Sequence, residues 1–242
     1  MRTTEFVQTS GVKAFLAAVT KAQQRGAREA SWIAVKGERG LGKTRTLQWW
    51  ALRQQAVYLR FKTEWTARWL LEELARELGL SAEACRKQDL FVRVVEAIRR
   101  QQVILVVDEI ELLKVRGKIK LLELIRDISD LTEMEVVLAG DEAGINHVMR
   151  HDQFASRVAS RAQFAPATAA DIRLMCDKLA EVGIADDLVA EILQQSAGYL
   201  REAKNAIAEV ERWADANGVK QVKLADVAGR ALCAGRSTRR GA

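Results

Sequence analysis

The sequence is poor in residues that break or staple a chain. Its 242 residues include a single proline, Pro166, and three cysteines, Cys85, Cys176 and Cys233. One proline leaves no room for a proline-rich linker. Three widely spaced cysteines fit no zinc pattern and cannot all pair, so they read as thiols in a reducing compartment. Histidine is equally scarce. His147 and His151 lie four apart on what reads as one short helical stretch, with no third ligand evident and no HExxH pattern, so no metal site is expected there. No run of eighteen apolar residues occurs, which excludes an apolar transmembrane helix. Met1–Ser10 lacks the apolar stretch of a secretory signal, so a cytoplasmic protein without a membrane partner is expected.

Apolar residues make up 49% of the chain and charged residues 29%, enough to bury a core and keep a solvated surface. The net charge of +6 fits a nucleic-acid partner without demanding one. The cations are concentrated. Lys114, Arg116, Lys118 and Lys120 fall within seven residues, and after Asp226 the chain carries Arg230, Arg236, Arg239 and Arg240 and no acid. A solvated face or a loose tail also accounts for such runs.

Apolar spacing alternates between helix and strand as far as Pro166. Helical patterns cover Val12–Gln24, a segment from Lys43, Thr66–Gly79, Leu90–Arg100 and Lys118–Leu131. Strand patterns cover Trp32–Val35, Ala56–Phe61, Val103–Val107, Val136–Ala139 and a short piece near Gln163–Phe164. The unbroken apolar run Val103–Val107 predicts a strand buried on both faces. Beyond Pro166, Ala170–Glu181, Asp187–Gln195, Leu200–Ala216 and Leu224–Cys233 all read as helices, and no strand stands out. The expected fold is therefore α/β: a parallel sheet covered by helices over residues 1–166, a small all-helical lid over 167–233 and a basic tail over 234–242.

Five elements carry chemistry. Gly37, Glu38, Arg39, Gly40, Leu41, Gly42, Lys43 and Thr44 complete the pattern GxxxxGK[ST] between a strand and a helix. Glycines let the backbone N–H groups face a phosphate chain, and the helix N-terminus adds a favourable field. Lys43 is placed for the β- and γ-phosphates of ATP, and the Thr44 hydroxyl for Mg²⁺. The strand Val103–Val107 runs into Asp108 and Glu109. Asp108 is expected to hold the metal's water shell, and Glu109 to polarise the water attacking the γ-phosphate.

Val136–Gly140 leads to Asp141, a polar side chain for the γ-phosphate end, although an exposed Gly-Asp-Glu turn explains it equally well. Arg157 and Arg161, four apart on an expected helix, share a face. Either could reach a neighbouring subunit's ATP as an arginine finger, and a surface arginine pair is the competing reading. Arg201, at the start of a lid helix, could fold back onto the phosphates of its own subunit.

These five pieces, in this order over about Val12–Arg212, resemble the AAA+ ATPases: Walker A loop, Walker B strand, sensor 1 strand, arginine-finger helix and a lid with a sensor 2 arginine. A narrower resemblance lies in Asp108–Leu113, Leu121–Asp130 and Val136–Gly140, which look like the transposition ATPases of the phage Mu B protein type, with TnsC- and TniB-like relatives. Phe6–Val12, Trp49-Trp50 and Trp65–Leu71 look like the Mu-like prophage members. The tryptophans themselves read as core or subunit-interface residues.

The resemblance implies ATP-dependent helical oligomers on double-stranded DNA that choose a target, recruit a transposase and stimulate strand transfer. It also gives Lys114, Arg116, Lys118 and Lys120 a role as phosphate contacts that read no bases. Longer relatives carry an N-terminal helix-turn-helix domain for which no room is expected ahead of Val12. Asp141 stands where a neutral polar residue is common. A helicase loader or replication-initiation ATPase is the alternative reading.

Overall fold

The computed structural model describes residues 1–2, 5–24, 26, 30–115 and 117–233. The chain divides into two compact units. One comprises Ala14–Glu38 and Lys43–Phe164; the other comprises Met1–Lys13, Arg39–Gly42 and Ala165–Ala242.

The elements up to Phe164 are α1 (Ser10–Gln23), β1 (Trp32–Gly37), α2 (Lys43–Gln54), β2 (Val57–Arg60), α3 (Ala67–Glu77), α4 (Lys87–Gln101), β3 (Leu105–Asp108), α5 (Ile119–Thr132), β4 (Val136–Gly140), α6 (Glu142–Met149), α7 (Asp152–Ala155) and β5 (Val158–Phe164). The five strands form one sheet in the order β2-β3-β4-β1-β5, and every pairing is parallel. Parallel strands buried on both faces need continuous apolar sequence. β3 and β4 meet that need, being buried at every position. Tryptophan supplies much of the core here. Trp32 is fully buried, stacks on Phe154 at 6.0 Å between ring centroids, and donates its indole N–H to Ser129 Oγ at 2.9 Å. A buried indole with its N–H satisfied costs the fold nothing for its polar atom.

The other unit holds α8 (Ala169–Leu179), β6 (Gly183–Ile184), α9 (Asp186–Ser196), α10 (Leu200–Asn217) and β7 (Gln221–Val222). Ile172, Leu188, Ile192, Ala203, Ile207 and Val210 form its fully buried centre. Asp171 ties Ser10 to the start of α8. Its carboxylate accepts from the Ser10 N–H and hydroxyl, both at 2.7 Å, and from the Thr168 N–H and hydroxyl, both at 2.9 Å. Burial works to raise this carboxyl's pKa, but the hydrogen bonds from Ser10 and Thr168 outweigh it and hold the pKa below the usual range.

Several expectations are corrected. The unit beyond Pro166 contains a two-stranded parallel sheet, β6 with β7; two-residue strands are too short to display alternation. Leu224–Cys233 is not a helix but a 3-10 turn over Leu224–Val227, followed by Gly229 at φ +74°. His147 and His151 are not on one helix: His147 lies in α6 and His151 caps α7. Arg157 and Arg161 do not share a helical face, because Arg161 lies inside β5. In Val158–Phe164 the inward positions include Ser160 and Ala162, small residues that mask the strand's period of two. Among the described residues, no helix is long and apolar enough to cross a membrane.

Candidate nucleotide site

The glycine-rich loop follows β1 directly and ends where α2 begins, at Lys43. Two glycines show why the loop has this sequence. A Cβ on Gly37 would lie 2.8 Å from both Cβ and the carbonyl oxygen of Phe164 in β5, so only glycine allows that strand approach. Gly42 sits at φ +93°, a backbone conformation that side-chain-bearing residues rarely adopt. The ammonium of Lys43 is held in the curl of the loop by the carbonyls of Gly37 (2.5 Å) and Glu38 (2.9 Å). Leu41 is buried, and the Gly40 carbonyl accepts the backbone N–H of Arg201 at 3.3 Å. Arg39 is exposed, as is Arg201 at the start of α10.

Thr44 and Asp108 meet. The hydroxyl of Thr44, in the first turn of α2, donates to Asp108 Oδ2 at 2.7 Å. Asp108 is 1% exposed. Tyr58 of β2 donates its phenol to the same oxygen at 2.9 Å, and the Glu109 N–H donates to Oδ1 at 2.9 Å. Burial first, and the Asp108 charge second, push the Tyr58 phenol above its ordinary pKa, so it stays a donor. A hydroxyl beside a buried carboxylate fits Mg²⁺, which takes one or two protein oxygens and completes its shell with water and phosphate oxygens. Among the described residues no cluster of three His, Cys, Asp or Glu could hold a metal by itself.

Glu109 stands in the left-handed region at φ 62°, a conformation that costs a non-glycine residue roughly 1 kcal/mol. It is held there between β3 and the 3-10 turn Ile110–Lys114. Its carboxylate receives the guanidinium of Arg60, the last residue of β2. This contact is the main cause of a raised Arg60 pKa.

The remaining candidates are placed as follows. Asp141 caps α6, accepting the Gly144 N–H at 2.6 Å, with Lys114 Nζ 3.6 Å from its other oxygen. Arg157 is engaged within the chain: it donates Nε to Asp130 at 2.7 Å and pairs with that carboxylate a second time. Arg161 is exposed on β5, with its guanidinium 3.8 Å from the Met149 sulfur. Lys118 donates to the Trp65 carbonyl at 2.9 Å, whereas Lys120 is exposed. Arg116 lies outside the described residues, as do Arg236, Arg239 and Arg240.

Sequence reasoning passed over Tyr58 and Arg60. Their signal was faint: two polar residues two apart on a strand, hence on one face. Only the pairing of β2 with β3, which sets Arg60 opposite Asp108, turns that face towards the two acids.

Residues 25–149, just over half of the chain, match the family model described as an AAA domain. The chain belongs to the AAA domain family. No curated protein matches this AAA chain in sequence. Among the solved structures that share its fold are these three. Cdc6p from Pyrobaculum aerophilum has 16% identity and a TM-score of 0.63, covering 89% of this chain and 64% of its own. The Orc1 protein of Aeropyrum pernix, solved in complex with DNA, has 19% identity and a TM-score of 0.62, covering 90% and 62%. The RuvB Holliday junction branch migration motor of Thermotoga maritima has 20% identity and a TM-score of 0.60, covering 93% and 69%. The AAA chain thus spans less than two thirds of the first two. At these identities the likeness concerns fold alone.

Proposed function

We propose that this AAA protein is an ATPase that binds ATP with Mg²⁺, assembles with it on duplex DNA, and directs a transposase to its target. The observation that carries the ATPase part is the meeting of Thr44 and Asp108 at 2.7 Å, with Glu109 one residue on and Lys43 at the head of the same helix as Thr44. The loop from Gly37 to Thr44 binds the phosphates. Thr44 and Asp108 would hold Mg²⁺ on the metal side of the site, and the ion would supply positive charge to offset that of the phosphates. Glu109 accepts a proton from water as the water oxygen bonds to the γ-phosphorus and the bond to the ADP oxygen breaks, giving ADP and phosphate. Arg60 must release the Glu109 carboxylate for this to happen.

ATP acts as an assembly switch in this reading. Arg161, exposed on β5, is the finger reaching a neighbour's γ-phosphate, in preference to Arg157, which is committed to Asp130. Arg201 answers the phosphates from the lid, and Asp141 takes the sensor position. DNA contact is assigned to the segment Lys114–Lys120, with Lys120 carrying most of it and Arg116 contributing. Support for the transposition role comes from the sequence resemblance of Asp108–Leu113, Leu121–Asp130 and Val136–Gly140 to the Mu B protein type. The likeness to Cdc6p and to Orc1 in complex with DNA favours a second reading, a helicase-loading or initiation ATPase.

Phosphate release from ATP, with and without duplex DNA and Mg²⁺, tests the proposal. Hydrolysis that needs Mg²⁺, rises with DNA and is lost in Lys43→Ala supports it. Hydrolysis persisting in Lys43→Ala contradicts the site.

A further inference from the structure

Asp108 is an acid with almost no water around it, so its orientation depends on the donors that reach it. It has three. The Glu109 N–H is on Oδ1, while the Thr44 and Tyr58 hydroxyls share Oδ2, at 2.7 and 2.9 Å. The Glu109 amide belongs to the backbone and cannot be tuned by side-chain choice. Thr44 is itself assigned to the metal, so its hydroxyl oxygen has two duties. Tyr58 alone gives its hydroxyl to Asp108 with no other assignment.

The placement of Tyr58 is set by the sheet. β2 lies beside β3 in parallel register, with Tyr58 opposite Val106 and Arg60 opposite Asp108. A side chain starting two rungs back must be long to reach the end of β3, and a phenol meets that need. The ring is half-buried, which fixes the hydroxyl in place.

We propose that Tyr58 is a positioning residue for Mg²⁺, fixing the Asp108 carboxylate so that the metal–nucleotide complex meets it already oriented. This rests on the reading of Thr44 and Asp108 as the metal-side residues. Removing a partner that orients a metal's ligand from behind typically costs about tenfold or more in metal affinity. Without the phenol, the carboxylate loses a donor on the oxygen it shares with Thr44 and gains rotational freedom that metal binding must then remove.

The test uses the full chain and a fluorescent, slowly hydrolysed ATP analogue. Binding is measured first in chelator without metal, then as a function of Mg²⁺, for the parent protein and for Tyr58→Phe, which deletes one atom. Thermal melting of both checks folding. The expected result is an Mg²⁺ half-saturation point raised about tenfold, with metal-free nucleotide affinity unchanged. An unchanged half-saturation point overturns the proposal. So does an equal loss of affinity with and without metal, which marks a merely structural tyrosine, as does a variant that does not fold. If the parent protein binds the analogue in neither condition, the nucleotide site itself is wrong, a failure distinct from that of Tyr58.

Discussion

The Arg60 guanidinium closes on the Glu109 carboxylate, so the residue assigned as catalytic base is ion-paired across two neighbouring strands. Arg60 is largely exposed, with 61% of its side chain open to solvent, and Glu109 is 32% open. Such a pair contributes little to stability. Its effect is on direction: a carboxylate engaged by a guanidinium is held in that pairing and not turned to an attacking water. Arg60→Ala is expected to raise basal ATP hydrolysis by about threefold to tenfold, that is, to lower the barrier by up to about 1.4 kcal/mol. Nucleotide affinity should not change. A steady-state phosphate-release assay reads this directly, and a lower rate shows that Arg60 assists catalysis instead.

Glu109→Gln keeps the shape of the side chain and removes the base. Turnover should fall by about 10²- to 10⁴-fold while ATP binding survives. Single-turnover hydrolysis alongside equilibrium binding separates the two. Near-parental turnover assigns the base elsewhere.

The two arginines are separated by their partners. Arg157→Ala removes a double contact to Asp130 and should lower stability by about 1 kcal/mol, with turnover per folded molecule retained. Arg161→Ala has no such cost and should leave the melting temperature unchanged. It should lower the hydrolysis rate of the assembled protein by about 10³-fold or more. Melting curves and ATPase rates on both variants decide between them, and the reverse pattern makes Arg157 the finger.

Asp171 joins two segments distant in sequence through four hydrogen bonds. Asp171→Ala leaves these donors short of an acceptor and should cost about 2–3 kcal/mol. Because its folded pKa lies below the unfolded value, the stability it gives is present above the ordinary carboxylate pKa and is lost as pH falls through the depressed one. Chemical denaturation at neutral pH and near pH 3 should therefore show the variant's deficit shrinking in acid. A deficit constant with pH contradicts the assignment.

The order of strand, loop and helix was legible because long apolar runs and the glycine loop leave little choice. The positions of Lys43, Thr44, Asp108 and Glu109 in the fold were legible for the same reason, each being fixed to the end of one strongly patterned element. What escaped depends on pairing between elements. Arg60 and Tyr58 gain their meaning from the register of β2 on β3, which no local pattern encodes. Arg161 was placed on a helix because Ala159, Ser160 and Ala162 do not display alternation, although β5 forms on the strength of its pairing with β1. The basic segment Lys114–Lys120 reads as one charged run, yet Lys114 is ion-paired with Asp141 and Lys118 donates to the Trp65 carbonyl. Side-chain reach, not charge count, decided that.

The most direct test of the whole account is duplex DNA binding by sedimentation and electron microscopy, with no nucleotide, ADP, ATP, or ATP on the Glu109→Gln variant. The account predicts rings or filaments on DNA with ATP only, weakened by salt as phosphate contacts require, and persisting in Glu109→Gln. DNA binding that is equal in every nucleotide state, or absent from all of them, contradicts ATP as the switch for assembly on DNA.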